Sequence, residues 1–250
     1  MLQIDLERFK IPKKWYVLGD SVSKGIILDD ERGRYVPTPN NFIDQVAKAM
    51  NVGVKNMSMF GATVAKGLQV LDRHADKIEE GGLCIMEFGG NDCDYLWAEI
   101  SEAPEKPHWC NVPPEKFIEL YRELIEKVKA KGLTPVILSM PPLDPVRYFK
   151  TFSKKLNKST IMEWLGGTTT TIYQWHESYN AALPNLAEAT DSIFLDIRQP
   201  FLQRRHPNQY ICSDGIHPNE EGHNLIASFL MERLGISDAK GEHQLAPILH

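Results

Sequence analysis

Cysteine is scarce in this chain, and none of its four cysteines (Cys84, Cys93, Cys110, Cys212) belongs to a CxxC pair. That excludes a disulfide scaffold and favours reduced thiols, with a Cys93–Cys110 bridge the one pairing left open. Long apolar runs are missing too: none approaches the ~20 residues of a membrane span. The first residues, Met1-Leu2-Gln3-Ile4-Asp5-Leu6-Glu7-Arg8, lack a basic region followed by an apolar stretch, so no secretory leader is expected. Positive charge is in deficit, 28 Lys and Arg against 33 Asp and Glu for a net charge of −5, which disfavours a phosphate-tracking surface. Neither a repeat nor a low-complexity segment is visible. These absences leave a cytoplasmic protein with no nucleic-acid or membrane partner, and its oligomeric state open.

What is present is an alternation of short apolar runs with longer amphipathic ones. Strands are expected at Trp15–Leu18, Val52–Met57, Leu83–Phe88, Pro135–Ser139 and Ser192–Ile197. Helices are expected over Asn41–Met50, Val64–Ile78, from Pro113-Pro114 to Lys131-Gly132, around Thr170–Ala187, and from Asn219 to Gly235. Five β units separated by helices imply a parallel sheet covered on both faces, an α/β/α sandwich of flavodoxin-like or Rossmann-like order. The 250 residues are read as one domain. Insertions at about 93–112 and 141–169 follow the third and fourth strands. They therefore emerge at the carboxyl edge of the sheet, where such folds bind ligands. The tail after Gly235 also exceeds what a connection needs.

Three short motifs fall at that same edge. Gly19-Asp20-Ser21 ends the first strand and could be a plain turn, since all three residues form turns readily. Gly89-Gly90-Asn91-Asp92 ends the third strand, and a buried Asn91 amide there could donate to an oxyanion. Asp214-Gly215-Ile216-His217 precedes the last helix. Its Asp and His, three residues apart in one turn, can pair carboxylate with imidazole Nδ1 and leave Nε2 free to take a proton. The G-x-S-x-G elbow of α/β-hydrolases is absent.

Together these motifs resemble the four blocks of the SGNH (GDSL-type) hydrolases. Gly19-Asp20-Ser21, Gly61 after the second strand, Gly89-Gly90-Asn91-Asp92 and Asp214-x-x-His217 occur in the family's order. The stretch Ser213-Asp214-Gly215-Ile216-His217-Pro218-Asn219-Glu220-Glu221-Gly222-His223 is the most specific of them. Val22 stands where the eponymous motif has Leu.

The resemblance implies Ser21 as nucleophile, His217 as general base and acid, and Asp214 as its orienting group. It also implies an oxyanion hole from the backbone N–H groups of Ser21 and Gly61 and the side-chain amide of Asn91. A serine-dependent ester hydrolase working through an acyl-enzyme, without metal or cofactor, follows. The expected substrate is a small-molecule short-chain acyl ester, with O-acetylated carbohydrates in the range. Acyl transfer, lysophospholipase and thioesterase activities are alternatives on the same site. A non-catalytic flavodoxin-like binding module is the alternative of another class. Tyr95, Trp97, His108 and Trp109, in the first insertion, are candidate substrate contacts.

The remaining polar residues near these motifs have simpler readings. Asp20 and Asp92 are expected to hold loop backbone. Cys93 and Cys212 read as small buried hydrophobes, and His223 as a surface or helix-packing residue. His206, His217 and His223 show no zinc-ligand spacing with cysteines or carboxylates.

Overall fold

The computed structural model describes residues 12–236; the Met1–Arg8 stretch and most of the tail after Gly235 lie outside them. The chain opens with β1 (Lys14–Gly19), the short helix α1 (Ser21–Lys24), and a hairpin of β2 (Ile26–Asp29) and β3 (Arg34–Pro37). Helix α2 (Phe42–Ala49), β4 (Gly53–Asn56), α3 (Val64–His74) and β5 (Leu83–Glu87) follow. Next come α4 (Trp97–Glu102), α5 (Pro114–Ala130), β6 (Thr134–Leu138), α6 (Pro145–Phe152), α7 (Lys158–Trp164) and α8 (Thr170–Ala189). β7 (Ile193–Leu195), α9 (Gln199–Leu202) and α10 (Glu220–Arg233) complete it.

The five expected strands form one parallel sheet in the order β4-β1-β5-β6-β7. Counting only those strands, this is 2-1-3-4-5, the flavodoxin-like rather than the Rossmann-like order. Both faces are apolar for a simple reason: successive strand residues point to opposite sides. On one side Tyr16, Leu18, Cys84, Met86 and Ile137 meet Leu68 and Leu71 of α3, Phe117, Tyr121, Leu124 and Val128 of α5, and Leu183 of α8. On the other, Trp15, Val17, Ile85, Val136 and Leu138 meet Phe42 and Val46 of α2 and Ile226 and Leu230 of α10. Each fully buried Leu, Ile or Phe contributes roughly 1.5–3 kcal/mol relative to exposure, so the two layers supply most of the driving force.

Two features were not expected from the sequence. The β2–β3 hairpin is a separate two-stranded sheet, with Leu28 opposite Tyr35 and Ile27 opposite Val36. The insertions are also largely helical. α4, α6, α7 and the start of α8 bury Trp97, Ile100, Phe149, Ile161, Leu165 and Ile172 in a third apolar cluster beside the sheet edge. The cysteine pairing left open resolves as unpaired: all four thiols are free, and the Cys110 sulfur instead bonds the Tyr179 hydroxyl at 3.2 Å.

His223 is wholly buried in α10, stacked on Phe42 at a centroid distance of 5.7 Å, so it packs the helix and is not a surface residue. Neither ring nitrogen has a hydrogen-bond partner among the described residues. Burial, helped by the nearby His217, pulls its pKa down to about 4. Below its unfolded value of ~6.5 the unfolded chain binds a proton that the folded one refuses, so stability falls as pH drops from about 6.5 towards 4. At pH 5 that costs about 2 kcal/mol. His223→Phe is therefore expected to raise the melting temperature at pH 5 by several degrees, and by clearly less at pH 8. Equal shifts in calorimetry at both pH values would contradict this account.

Candidate active site

Ser21 is the first residue of α1, immediately after β1, and Asp20 is the helix N-cap, its Oδ1 accepting from the Val22 N–H at 2.8 Å. An Asp at this position satisfies one of the helix's free N–H groups and so holds the turn that presents Ser21. The partner histidine comes from the loop before α10. There, Cys212 N–H donates to the His217 carbonyl at 2.8 Å, and Asp214 Oδ1 accepts from the N–H groups of Ile216 and His217. Gly215 lies between them at φ +86°, where a Cβ would sit 2.4 Å from the Tyr148 nitrogen and 2.5 Å from the Asp144 carbonyl. Only glycine lets this loop approach α6 so closely.

The result is a continuous chain of hydrogen bonds. Ser21 Oγ lies 2.8 Å from His217 Nε2, and His217 Nδ1 lies 2.6 Å from Asp214 Oδ2. All three residues are buried: Ser21 is 7% exposed, His217 2% and Asp214 0%. Burial alone would raise the Asp214 pKa, but the His217 hydrogen bond and charge and two backbone N–H donors outweigh it and hold the carboxyl below its usual range. An ionised Asp214 must accept from Nδ1–H. Nε2 then carries the lone pair, and the Ser21 hydroxyl donates to it. The arrangement can take a proton from Ser21 as its oxygen forms a bond to carbon.

Asn91 follows β5 and faces the same point. Its Nδ2 donates to Asp20 Oδ2 at 2.8 Å and to the Ala62 carbonyl at 3.2 Å, which brings the Gly61–Ala62 turn against the Asn91 amide. Gly61 has φ +70°, and a Cβ there would meet nothing within 4 Å. It is glycine because of its left-handed backbone and not because of crowding. Asp92 is fully buried. Its Oδ1 accepts from Val64 N–H at 2.9 Å, and burial pushes its pKa up to about 7. Both Asp20 and Asp92 thus hold backbone, as their sequence positions suggested.

Beside Ser21 a cavity of roughly 700 Å³, its open mouth included, runs towards the helical insertions. Trp97, Met140, Leu143, Tyr148, Ile172 and Trp175 wall it. Of the four aromatic candidates in the first insertion, only Trp97 reaches it. Tyr95 packs edge-on against Trp164 and tilted against Trp97 and Trp175, His108 bonds the Ala103 carbonyl at 2.8 Å, and Trp109 is 74% exposed. The polar wall residue Asp94 is occupied, accepting from Trp97 Nε1 at 2.8 Å and from the Tyr148 hydroxyl at 2.6 Å.

Tyr35 of the hairpin and Phe60 lie by His217, with ring centroids 5.1 and 6.0 Å from it and 5.3 Å from each other. Neither had a signal in the sequence beyond being aromatic. Cys93 and Cys212 are buried, and burial raises both thiols, so they behave as apolar filling. Among the described residues no three His, Cys, Asp or Glu side chains converge as a metal site. No helix among them is long and apolar enough to cross a membrane.

Comparison with known proteins gives this geometry a family. The GDSL-like lipase/acylhydrolase family model matches residues 17–225. The chain belongs to that family. As a GDSL/SGNH hydrolase it shares its fold with a lipase/acylhydrolase from Enterococcus faecalis at TM-score 0.57 and 18% identity, covering 91% of this chain and 100% of that one. It is similar to Axe2, an acetylxylan esterase from Geobacillus stearothermophilus, at TM-score 0.58 and 17% identity, covering 92% and 98%. A lipolytic G-D-S-L family protein from Veillonella parvula matches at TM-score 0.58 and 17% identity, covering 88% and 96%. None of the curated proteins matches it. At these identities the solved structures establish the fold of this GDSL-type hydrolase, while its own residues must speak for its chemistry.

Proposed function

We propose that this GDSL-type hydrolase cleaves carboxylic esters through an acyl-enzyme on Ser21. The observation that carries the reading is the buried Ser21–His217–Asp214 hydrogen-bond chain, of which Ser21 and His217 line the cavity. Ser21 Oγ bonds to the ester carbonyl carbon as His217 Nε2 takes its proton, and the carbonyl oxygen becomes an oxyanion beside Asn91. When the carbon–alkoxy bond breaks, the same proton passes to the departing alcohol. Water then gives a proton to Nε2 and attacks the acyl-enzyme, and the acid and free Ser21 are released.

Substrate class follows from where each half of the ester must lie. The departing oxygen takes its proton from His217, so the alcohol sits over that ring, where Tyr35 is 40% and Phe60 53% exposed. Aromatic rings at that position suit a ring-shaped alcohol, a sugar or an aryl group, that offers a flat face. The acyl group is a short one, entering the cavity between Trp97 and Trp175. The acetylxylan esterase among the structural neighbours is compatible with an acetylated carbohydrate. Four unpaired thiols fit a reducing, cytoplasmic setting.

A fluorophosphonate probe tests the chemistry, because it bonds only to an activated nucleophile. A covalent mass shift located at Ser21 is expected. An ester panel crossing acyl length with alcohol type should then show kcat/KM highest for acetyl esters of sugar or aryl alcohols. No label at Ser21 rules out the acyl-enzyme, and a preference for long acyl chains on simple alcohols rules out the substrate class.

A further inference from the structure

Hydrolysis as described uses Ser21, His217 and Asp214 and leaves unexplained a second set of buried polar groups beneath them. Asp20 is 3% exposed and Glu87 2%. Glu87 pairs with Gly19 across β1 and β5, and Asp20, the next residue, lines the same cavity as Glu87, close enough for the two carboxyls to share a hydrogen bond. No cation pairs with either among the described residues. Two touching carboxyls out of water cannot both be ionised, so one proton lies between them.

Their partners say which one keeps it. Asp20 accepts from the Val22 N–H through Oδ1 and from Asn91 Nδ2 through Oδ2, each at 2.8 Å. Burial raises the Asp20 carboxyl above its usual range, while both donors, the Glu87 hydrogen bond and the nearby His217 pull towards its charged form. Glu87 Oε2 accepts from the Ser23 hydroxyl at 3.0 Å. Ser23 is itself fixed, because its carbonyl accepts from the amides of Asn41 and Asn56. Burial and the Asp20 charge push the Glu87 carboxyl well above its usual range. The proton therefore resides on Glu87, which donates to an ionised Asp20.

We infer that Asp20 and Glu87 form a proton-sharing pair that positions the Asn91 amide for the oxyanion. Asp20 and Glu87 are thus positioning residues for the proposed hydrolysis, and the inference rests on that reading. Asp20 grips one Nδ2 hydrogen at 2.8 Å, which sets the rotation of the amide. The other hydrogen, on the looser 3.2 Å bond to the Ala62 carbonyl, is then the one left to be shared with the developing negative oxygen, with the amide's rotation unchanged. The Glu87 proton matters electrostatically. It limits the pair to one negative charge under the oxyanion, where two would oppose its formation. A carboxylic acid at position 87 also explains why the wholly buried strand β5 ends in a residue type rarely buried without a partner.

Mutational cycles on kcat test it. Asn91→Ala should lower kcat on the order of 10²–10³-fold, the scale of one oxyanion donor. Asp20→Asn keeps a good N-cap but sets an N–H against either Val22 or Asn91, so a kcat loss of about 10² is expected with KM little changed. Because Asp20 acts through Asn91, the double variant should be no worse than Asn91→Ala alone. Glu87→Leu, which removes the donor, should lose on the order of tenfold or more, and Glu87→Gln, an uncharged donor, should recover most of that loss.

Multiplying losses in the Asp20–Asn91 cycle would overturn the inference. So would Glu87→Gln performing no better than Glu87→Leu, since an ionised Glu87 predicts that result. Melting temperatures identify variants that fail to fold, and the Glu87 pair then decides independently of Asp20. Fluorophosphonate labelling of the wild-type chain keeps the two readings apart. Labelling with multiplying losses removes only the pair, and no labelling removes the proposed hydrolysis itself.

Discussion

Ser21→Ala is expected to lower ester turnover by about 10⁶-fold in kcat, the scale seen when the nucleophile of a serine–histidine–carboxylate site is removed. The size follows from what the hydroxyl does here. Its recorded side-chain bond is the one to His217 Nε2, so its loss removes the attacking atom without unseating any other element. α1 keeps its cap, because the Asp20 carboxylate still holds the Val22 N–H. The cost in stability is that of one hydrogen bond, about 1 kcal/mol, or a melting shift of about 2–4 °C for a domain of this size. Burst kinetics with a chromogenic acetate ester, run beside calorimetry, separate the two effects. Turnover within tenfold of wild type in a folded variant would mean that the nucleophile is not Ser21.

Most of the scaffold was legible because its signals are local and redundant. Trp15–Leu18 is a continuous apolar run and Leu83–Phe88 one broken only by Glu87; both are ended by glycine, and each is a central strand with both faces buried. The α5 stripe of Phe117, Tyr121, Leu124 and Val128 faces the sheet as its spacing requires. Strand ends in a parallel sheet share one edge, so the order of the motifs was enough to bring Ser21, Asn91 and His217 to one place.

What escaped was set by tertiary packing. The β2–β3 hairpin has a charged turn, Asp29 to Arg34, and short, partly exposed strands, so its pattern resembles a loop. Its role depends on where it docks, with Leu28 N–H on the Cys212 sulfur and Tyr35 on His217. The cavity wall is likewise assembled from segments far apart in sequence. Trp175 and Ile172 arrive on α8, which read only as a covering helix. Glu87 was the one missed residue that carried a signal, a lone acid in an apolar strand.

Asp214→Asn is expected to lower kcat by about 10⁴-fold while leaving the loop in place. Asparagine retains an oxygen for the Ile216 and His217 N–H groups that Oδ1 now accepts, at 3.0 and 3.2 Å. The loop turn therefore survives the change. The amide nitrogen is then forced to the Oδ2 position, 2.6 Å from His217 Nδ1. Two donors cannot share that contact, so Nδ1 must give up its proton and accept. The neutral imidazole then carries its hydrogen on Nε2, pointing at Ser21 Oγ, and no lone pair is left to take the serine proton. Loss of the buried negative charge also leaves the imidazolium that forms during attack without its counter-ion. The signature is a fall in kcat with KM nearly constant, together with a matching loss of fluorophosphonate labelling rate at Ser21. A variant that folds and keeps more than a tenth of wild-type kcat would show that His217 does not depend on Asp214 for its tautomer.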